Sequence, residues 1–196
     1  MLEKETHQTL HRMFFGFGLD PIFLKSFQKC LFSVQQDFSH DAIRWIRAEN
    51  YHITLKFLGH CSLLQKKSFL EVFDKVPKFS IDLQAIGWSF FGERNPRAIA
   101  LEFTSPKNSL QKLKNVLDQT LEEKIQNHSQ HRLLRPHLTF ARNLGSMEVS
   151  ELANIHARLS KHPWPHQTFR VSDLYLYETH RNDEGVEYKI VGSKAL

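Results

Sequence analysis

Two short segments of the chain each place a histidine and a threonine two residues apart, with an apolar residue between them. These segments are His52-Ile53-Thr54-Leu55 and His137-Leu138-Thr139-Phe140. Residues two apart on a β-strand point to the same face, so each segment presents an imidazole beside a hydroxyl. Imidazole has an ordinary pKa near 6.5, so one ring can accept a proton while the other donates one near neutral pH. The pattern predicts paired general acid–base chemistry.

The chain is rich in histidine, so the His-x-Thr pattern needs a second criterion. Twelve histidines and the threonine content give about 0.5 such triplets by chance, and four occur. The other two begin at His7 and His166, carry glutamine in the middle, and start from polar or proline-rich sequence. We interpret these two as unrelated to the site.

The neighbourhoods of the two selected segments are similar to each other. Residues 52–59 (HITLKFLG) and 137–145 (HLTFARNLG) both run from the histidine to a glycine. The two histidines lie 85 positions apart, one in each half of the chain. This repetition predicts two pseudo-symmetric lobes whose His-x-Thr strands face each other across a cleft.

The order of predicted elements indicates an α+β fold. Strands are expected at 12–19, 43–46, 51–58, 79–91, 97–103, 137–142, 167–178 and 186–191, and helices at 21–34, 62–76, 106–127 and 147–160. Asp20 followed by Pro21 is typical of a helix start. The mixed order argues against a doubly wound parallel sheet, and no linker divides the chain. We expect one bilobal domain over residues 1–196.

Composition limits the classes of partner. The net charge is +5 and the sequence pI is about 9.2, a balance that favours anionic partners. Cys30 and Cys61 form neither a disulfide framework nor a zinc signature, and buried free thiols are expected. There is no run of 18 apolar residues and no signal-peptide centre near the N-terminus. We therefore expect a cytoplasmic monomer that does not span a membrane.

Blocks from one end of the chain to the other resemble one known family. The blocks are residues 12–17 (RMFFGF), 44–59 (RWIRAENYHITLKFLG), 135–142 (RPHLTFAR) and 174–178 (LYLYE), with Gly185 and Tyr188 beyond. They resemble the RNA 2′,3′-cyclic phosphodiesterases, also called 2′-5′ RNA ligases, of the two-histidine phosphoesterase superfamily. The resemblance implies a bilobal fold with one His-x-Thr strand in each lobe and a reaction that uses no metal or other cofactor.

The resemblance also implies roles for the site residues. The substrate would be an RNA end with a 2′,3′-cyclic phosphate, or a small cyclic nucleotide, and the product a 2′-phosphate. His52 would protonate the departing 3′-oxygen and His137 would activate water, although the sequence alone does not fix which histidine plays which role. Thr54 and Thr139 would donate hydrogen bonds to phosphate oxygens.

Three further residues are candidates for substrate binding. Strict alternation along the strand places Lys56 on the face of Thr54, where it could raise the positive potential or simply be solvated. Arg142 would fall on the core face and could reach phosphate only if the strand ends or bulges there. Phe14 faces the proposed cleft and could stack on a base, although burial in the core is the usual role of phenylalanine.

Three other functions remain open from the residues. The same site could join RNA ends through a 2′-5′ linkage, which is the reverse reaction. The fold could also serve as a non-catalytic module that binds RNA ends or nucleotides, although the presence of both histidines and both threonines argues against it. A zinc site built on His128, His131 and His137 is disfavoured because a predicted helix-to-strand break separates these residues.

Overall fold

Strands and helices follow one another irregularly in the computed structural model, which describes residues 10–37, 43–92, 97–124, 133–144, 149–183 and 185–196. The strands are β1 (His11–Phe17), β2 (Ile43–Trp45), β3 (Ile53–Cys61), β4 (Ile81–Phe91), β5 (Ala98–Thr104), β6 (His137–Asn143), β7 (Thr168–Val171), β8 (Asp173–Asn182) and β9 (Gly185–Ala195). The α-helices are α1 (Pro21–Asp37), α2 (Leu63–Lys75), α3 (Ser109–Lys124) and α4 (Val149–Leu159), with 3₁₀ turns at Ala48–Asn50 and Pro106–Asn108.

The strands form two antiparallel groups that meet along one seam. The strand order is β7-β4-β5-β6-β3-β1-β8-β9, and β2 pairs separately with β6. Between β3 and β6, the seam between the groups, the register contains the single pair Ile53 and Leu138. One lobe therefore contains β3, β1, β8 and β9, and the other contains β6, β5, β4 and β7. The prediction of a bilobal α+β fold with antiparallel sheets is confirmed.

Helices pack against one face of each lobe. In the first lobe, Phe15 of β1 packs against Phe73 of α2, with ring centroids 5.6 Å apart. In the second lobe, Phe27 of α1 packs against Phe140 of β6 at 5.9 Å. These four side chains belong to one buried apolar cluster that continues beneath both lobes. Burial of this face holds the sheet in place and leaves the opposite face near the seam open to a ligand.

The predicted helix starts have the expected capping contacts. The Asp20 side chain accepts hydrogen bonds from the backbone N–H groups of Ile22 and Phe23, both at 2.9 Å. Ser62 and Gln65 form a reciprocal capping box at the start of α2. Each contact satisfies backbone donors that would otherwise lack a partner in the first helical turn.

A glycine in β1 allows close approach of β3. A Cβ atom at Gly16 would lie 2.6 Å from the carbonyl oxygen of Ile53, which is too close for any side chain. The strand predicted over residues 51–58 is longer than expected at its end, because Gly59 adopts φ +79° and β3 continues to Cys61. Glycine adopts this conformation without a steric cost.

The segment predicted as one strand over residues 167–178 is two strands. Strand β7 pairs with β4 in the second lobe, whereas β8 pairs with β1 in the first lobe. The chain passes from one lobe to the other near Ser172, between these strands. The alternation changes phase at this point, because the buried positions are Phe169 and Val171 before Ser172 and Leu174 and Leu176 after it. The two consecutive polar residues Ser172 and Asp173 were the sequence signal of the break.

Two smaller expectations concern the cysteines and the membrane. Cys61 is buried and Cys30 is partly exposed, and both are free thiols. Within the described residues, none of the helices combines the length and apolar character needed to cross a membrane.

Candidate active site

The two His-x-Thr segments line the same cleft, which has a volume of about 680 Å³. Ile53 and Leu138, the middle residues of the segments, pair across the seam and are fully buried. Residues on either side of a buried strand position point to the opposite face. The imidazole and hydroxyl of each lobe therefore meet those of the other lobe in the cleft, and His52, Thr54, His137 and Thr139 all lie in its wall.

The other two His-x-Thr segments lie elsewhere. His166 contacts the ring of Trp164, with centroids 5.2 Å apart, and is not among the cleft residues. His7 lies outside the described residues. The sequence criterion, an apolar middle residue on a predicted strand, thus distinguished the two segments that meet in the cleft from the one that begins at His166.

Equivalent backbone contacts hold both imidazoles. His52 Nδ1 lies 2.7 Å from the carbonyl oxygen of Asn50, and His137 Nδ1 lies 2.7 Å from that of Arg135. A carbonyl oxygen only accepts hydrogen bonds, so each Nδ1 carries a hydrogen and donates it. The proton of each neutral ring is therefore on Nδ1, which leaves Nε2 with the lone pair that can exchange a proton.

His52 lies in an aromatic environment. Its ring centroid is 4.7 Å from that of Phe14, 4.6 Å from that of Tyr188 and 5.7 Å from that of Tyr177. The pKa of His52 is lowered to about 4, mainly by burial and to a smaller extent by the charges of His137 and Arg142, against the opposing effect of the hydrogen bond to the Asn50 carbonyl. The neutral ring therefore predominates in the empty cleft at neutral pH.

His137 lies in a more polar environment. Its ring stacks on Phe91 with centroids 3.9 Å apart, and the Arg135 guanidinium lies 4.4 Å from the same Phe91 ring. Arg135 also donates to both carboxylate oxygens of Glu102, at 3.0 and 2.9 Å. Burial lowers the pKa of His137. The hydrogen bond to the Arg135 carbonyl and the negative charge of Glu102 raise this pKa, whereas the positive charges of Arg135 and Arg142 lower it.

A β-bulge brings Arg142 into the cleft. Between β5 and β6 the register shifts at Ile99 and Ala100, whose partners are Ala141 and Thr139, so Phe140 is the extra residue. The Phe140 carbonyl accepts a hydrogen bond of 2.8 Å from the backbone N–H of Ile46. The bulge reverses the alternation of side chains beyond it. The core position that strict alternation gives for Arg142 is therefore wrong, the bulge on which its access to the cleft was conditional is present, and Arg142 lines the cleft.

A corresponding bulge removes Lys56 from the cleft. Opposite β1, Phe15 pairs with Lys56 and Gly16 with Thr54, so Leu55 is the extra residue in β3. The prediction that Lys56 shares the cleft face with Thr54 is wrong for this reason. Lys56 is 5% exposed, and its Nζ atom lies 2.8 Å from Asp118 Oδ1. The lysine charge is thereby paired with a buried carboxylate, which Lys114 also contacts.

The same bulge directs Phe57 to the cleft. Phe57 is 49% exposed and lines the cleft, so it has the free aromatic surface that was expected of Phe14. Phe14 also borders the cleft, but it is only 2% exposed, and the rings of Tyr177 and Tyr188 pack against it in addition to His52. Phe14 therefore supports the His52 ring and lacks the accessible face that stacking on a base requires.

Five arginines from distant parts of the sequence line the cleft, and none of its described lining residues is acidic. These arginines are Arg12, Arg44, Arg47, Arg142 and Arg181. Sequence reasoning selected only Arg142, because the others are separated along the chain and no basic run marks them. The net charge of the chain was the one signal that pointed to this surface.

The zinc alternative named three histidines, of which the structure describes one. His128 and His131 lie outside the described residues, whereas His137 lines the cleft. Within the part of the chain that the structure describes, no group of three histidine, cysteine, aspartate or glutamate side chains is arranged to hold a metal ion.

Solved structures with the same fold include bacterial and yeast proteins. The chain superposes on E. coli LigT in apo form with a TM-score of 0.73 at 22% sequence identity, covering 96% of this chain and 98% of LigT. For TT0787 of Thermus thermophilus the TM-score is 0.76 at 15% identity, covering 94% of this chain and 97% of TT0787. For Usb1 of Kluyveromyces marxianus the TM-score is 0.57 at 13% identity, covering 96% of this chain and 99% of Usb1.

Sequence comparison provides the family. None of the curated proteins matches this chain. The family model described as the 2′-5′ RNA ligase superfamily matches residues 36–183, a span that contains both His-x-Thr segments and the seam between the lobes. The chain therefore belongs to the 2′-5′ RNA ligase superfamily.

Proposed function

We propose that the chain is an RNA 2′,3′-cyclic phosphodiesterase that opens the cyclic phosphate at an RNA end and leaves a 2′-phosphate, with His52 and His137 as acid and base. Membership of the superfamily supports an enzyme that acts on phosphodiester bonds. The observation that carries the proposal is the Ile53–Leu138 pair, because it brings two imidazoles and two hydroxyls to one cleft.

The proposed step moves two protons around one phosphorus atom. Water attacks phosphorus while His137 Nε2 takes its proton, and the bond from phosphorus to the 3′-oxygen breaks as His52 Nε2 donates a proton to that oxygen. The assignment of acid to His52 and base to His137 rests on the family resemblance. Both Nδ1 atoms are already engaged by backbone carbonyls, so only the Nε2 atoms can exchange protons with the substrate.

The substrate must help to protonate the acid. In the empty cleft the pKa of His52 is about 4, so the imidazolium form is scarce at neutral pH. A phosphate placed beside the ring stabilises the imidazolium, because an opposite charge within about 4–6 Å favours the charged form. Thr54 and Thr139 would donate to the non-bridging oxygens and hold the phosphate in line, and Arg142 would balance its charge.

Ligands of related structures are consistent with this substrate class. E. coli LigT has been crystallised with 3′-AMP and with phosphate. These ligands belong to LigT, and for this chain they support a nucleotide that carries a phosphate on its ribose. The five arginines of the cleft support the same class, because guanidinium groups bind phosphate through paired hydrogen bonds.

The decisive experiment measures turnover of an RNA oligonucleotide that ends in a 2′,3′-cyclic phosphate, in the presence of EDTA. We expect conversion to a 2′-phosphate, and we expect His52→Ala and His137→Ala each to lower kcat by about 10²–10⁴-fold. His166→Ala is the matched control, because His166 belongs to the same sequence pattern but lies outside the cleft, and it should retain full activity. Binding without turnover would contradict the proposal and indicate a non-catalytic module.

A further inference from the structure

The arginines of the cleft exceed what one reactive phosphate requires. A cyclic phosphodiester carries a single negative charge, and Arg142 is close enough to the histidines to lower the pKa of both. Arg12, Arg44, Arg47 and Arg181 line the same cleft in addition to Arg142. Within the described residues, Arg12, Arg44 and Arg181 have no carboxylate partner. Crowding of like charges without a counter-charge is unfavourable, so these three guanidiniums indicate that a second anionic group occupies part of the cleft.

Two of these arginines face each other directly. In the pairing of β2 with β6, Arg44 lies opposite Arg142, and side chains of directly opposed residues project from the same face of a sheet. Like charges in this arrangement destabilise a strand pair. Neither arginine forms an ion pair with a carboxylate within the described residues, in contrast to Arg135, which pairs with Glu102. The opposed pair is therefore suited to bridging anionic oxygens.

A hydrogen bond brings a third arginine to the same end of the cleft. The Asn50 side chain donates to the carbonyl oxygen of Val186 at 2.7 Å, which ties the segment before His52 to the β8–β9 hairpin. Arg181 pairs with Val186 across that hairpin. Arg181 thus lies at the end of the cleft where Asn50 holds His52, and its side chain is exposed and available to a ligand.

The other end of the cleft has a different character. Beyond Thr54 and His137, a second depression of about 260 Å³ is lined mainly by apolar side chains, including Phe57, Phe91 and Leu133. Its basic residues already have carboxylate partners, since Lys56 and Lys114 contact Asp118 and Arg135 contacts Glu102. Among the described residues, uncompensated positive charge for a second phosphate lies at the arginine end.

We propose that Arg44 and Arg181 form a subsite for a second phosphate, the one attached to the 5′-oxygen of the ribose whose cyclic phosphate reacts. This inference rests on the proposed function, because it takes the reactive phosphate to lie between His52 and His137. When the 2′- and 3′-oxygens are both in the ring, the 5′-oxygen is the only ribose hydroxyl position left to carry phosphate. The subsite makes the enzyme favour an RNA end, or a 5′-phosphorylated nucleotide, over a bare nucleoside cyclic phosphate.

The test compares three substrates that differ at the 5′-oxygen. They are adenosine 2′,3′-cyclic phosphate, its 5′-phosphorylated form, and the dinucleotide ApA with the same cyclic end. We expect kcat/KM to rise about tenfold or more when the second phosphate is present, in keeping with one or two charge-assisted hydrogen bonds. The slope of log kcat/KM against the logarithm of the salt concentration should become steeper by about 0.7 for each added phosphate contact. A gain with both larger substrates points to RNA, and a gain with the 5′-phosphorylated monomer alone points to a small nucleotide.

Two substitutions test whether the preference for substrates with a second phosphate comes from the proposed subsite. Arg44→Gln should reduce the ratio of kcat/KM between substrates with and without the second phosphate to below about threefold. Arg170→Gln is the control, because Arg170 is an exposed arginine of β7 that pairs with Asp82 and lies outside the cleft lining. A wild-type ratio near one, or equal ratios in Arg44→Gln and Arg170→Gln, would overturn the inference.

A binding experiment separates failure of the subsite from failure of the proposed reaction. If none of the three substrates is turned over, the proposed function fails. Calorimetry then compares adenosine 3′-phosphate with adenosine 3′,5′-bisphosphate. Tighter binding of the bisphosphate that is lost in Arg44→Gln would still support the subsite, whereas equal affinity for the two nucleotides would overturn it.

Discussion

Strands β3 and β6 present the same residue pattern on the same backbone geometry, yet their surroundings differ. In both strands a carbonyl two residues upstream fixes the imidazole, and a bulge follows the threonine, at Leu55 in β3 and Phe140 in β6. The residues beyond the bulges are Lys56 and Phe57 in one strand and Ala141 and Arg142 in the other. The carbonyl contact and the bulge occur in both strands, whereas the side chains that follow the bulge differ.

This difference shows how one pattern produces two unlike histidines. His52 is enclosed by Phe14, Tyr177 and Tyr188, and its pKa falls to about 4 mainly because of burial. His137 lies near Glu102, whose negative charge opposes the effect of burial. The difference between the two imidazoles comes from neighbours outside the His-x-Thr segments, and in the empty cleft it disfavours a proton on His52 more strongly than on His137. The proposed acid therefore depends on a bound phosphate for its proton, whereas the proposed base does not.

The largest expected effect on stability concerns Lys56, which has no counterpart in β6. Asp118→Asn leaves Lys56 and Lys114 buried without a carboxylate, and the loss of one partner from a buried ion pair costs about 3–5 kcal/mol. Urea denaturation monitored by fluorescence would measure it. Asp82→Asn, which removes the exposed partner of Arg170, should cost less than about 1 kcal/mol. Equal losses in the two variants would mean that the buried cluster does not hold β3 against α3.

The next effect concerns the pH dependence of the free energy of unfolding. The pKa of His52 is near 4 in the folded protein and about 6.5 in the unfolded chain, so the unfolded state binds more protons between these values. Stability should therefore fall as pH drops from 6.5 towards 4, by up to about 3 kcal/mol from this residue. His52→Gln should remove more of this loss than His137→Gln. An unchanged pH profile in His52→Gln would contradict the burial argument.

The smallest expected effect concerns the negative charge of Glu102, which only the second lobe provides. Glu102→Gln removes a negative charge that favours the imidazolium of His137 and leaves Arg135 without its partner, so both changes lower the pKa of His137. We expect the pKa of His137 to decrease, measured by NMR titration of the ring protons. Glu187→Gln, on the exposed edge of β9, should leave that pKa unchanged. A rise in the pKa of His137 would show that Glu102 does not act electrostatically.

Periodicity and residue type predicted the four central side chains and the two-lobed fold, but not the residues beyond the bulges. Strict alternation placed Lys56 in the cleft and Arg142 in the core, and both assignments were reversed by one extra residue in each strand. A bulge depends on register with a neighbouring strand, which a single strand sequence does not contain. The convergence of Arg44 and Arg181 likewise depends on strand pairing and on the Asn50–Val186 hydrogen bond.

The contact between Gly16 and the Ile53 carbonyl has a consequence for how the site can vary. Any side chain at position 16 would act as a wedge against the residue between His52 and Thr54, which also forms the seam with Leu138. Because β3 lies between β1 and β6, even a methyl group there would shift the backbone that carries His52 relative to His137 without touching either imidazole. The proposed proton transfer thus depends on a position that can accommodate nothing larger than hydrogen, on a strand that contributes neither histidine.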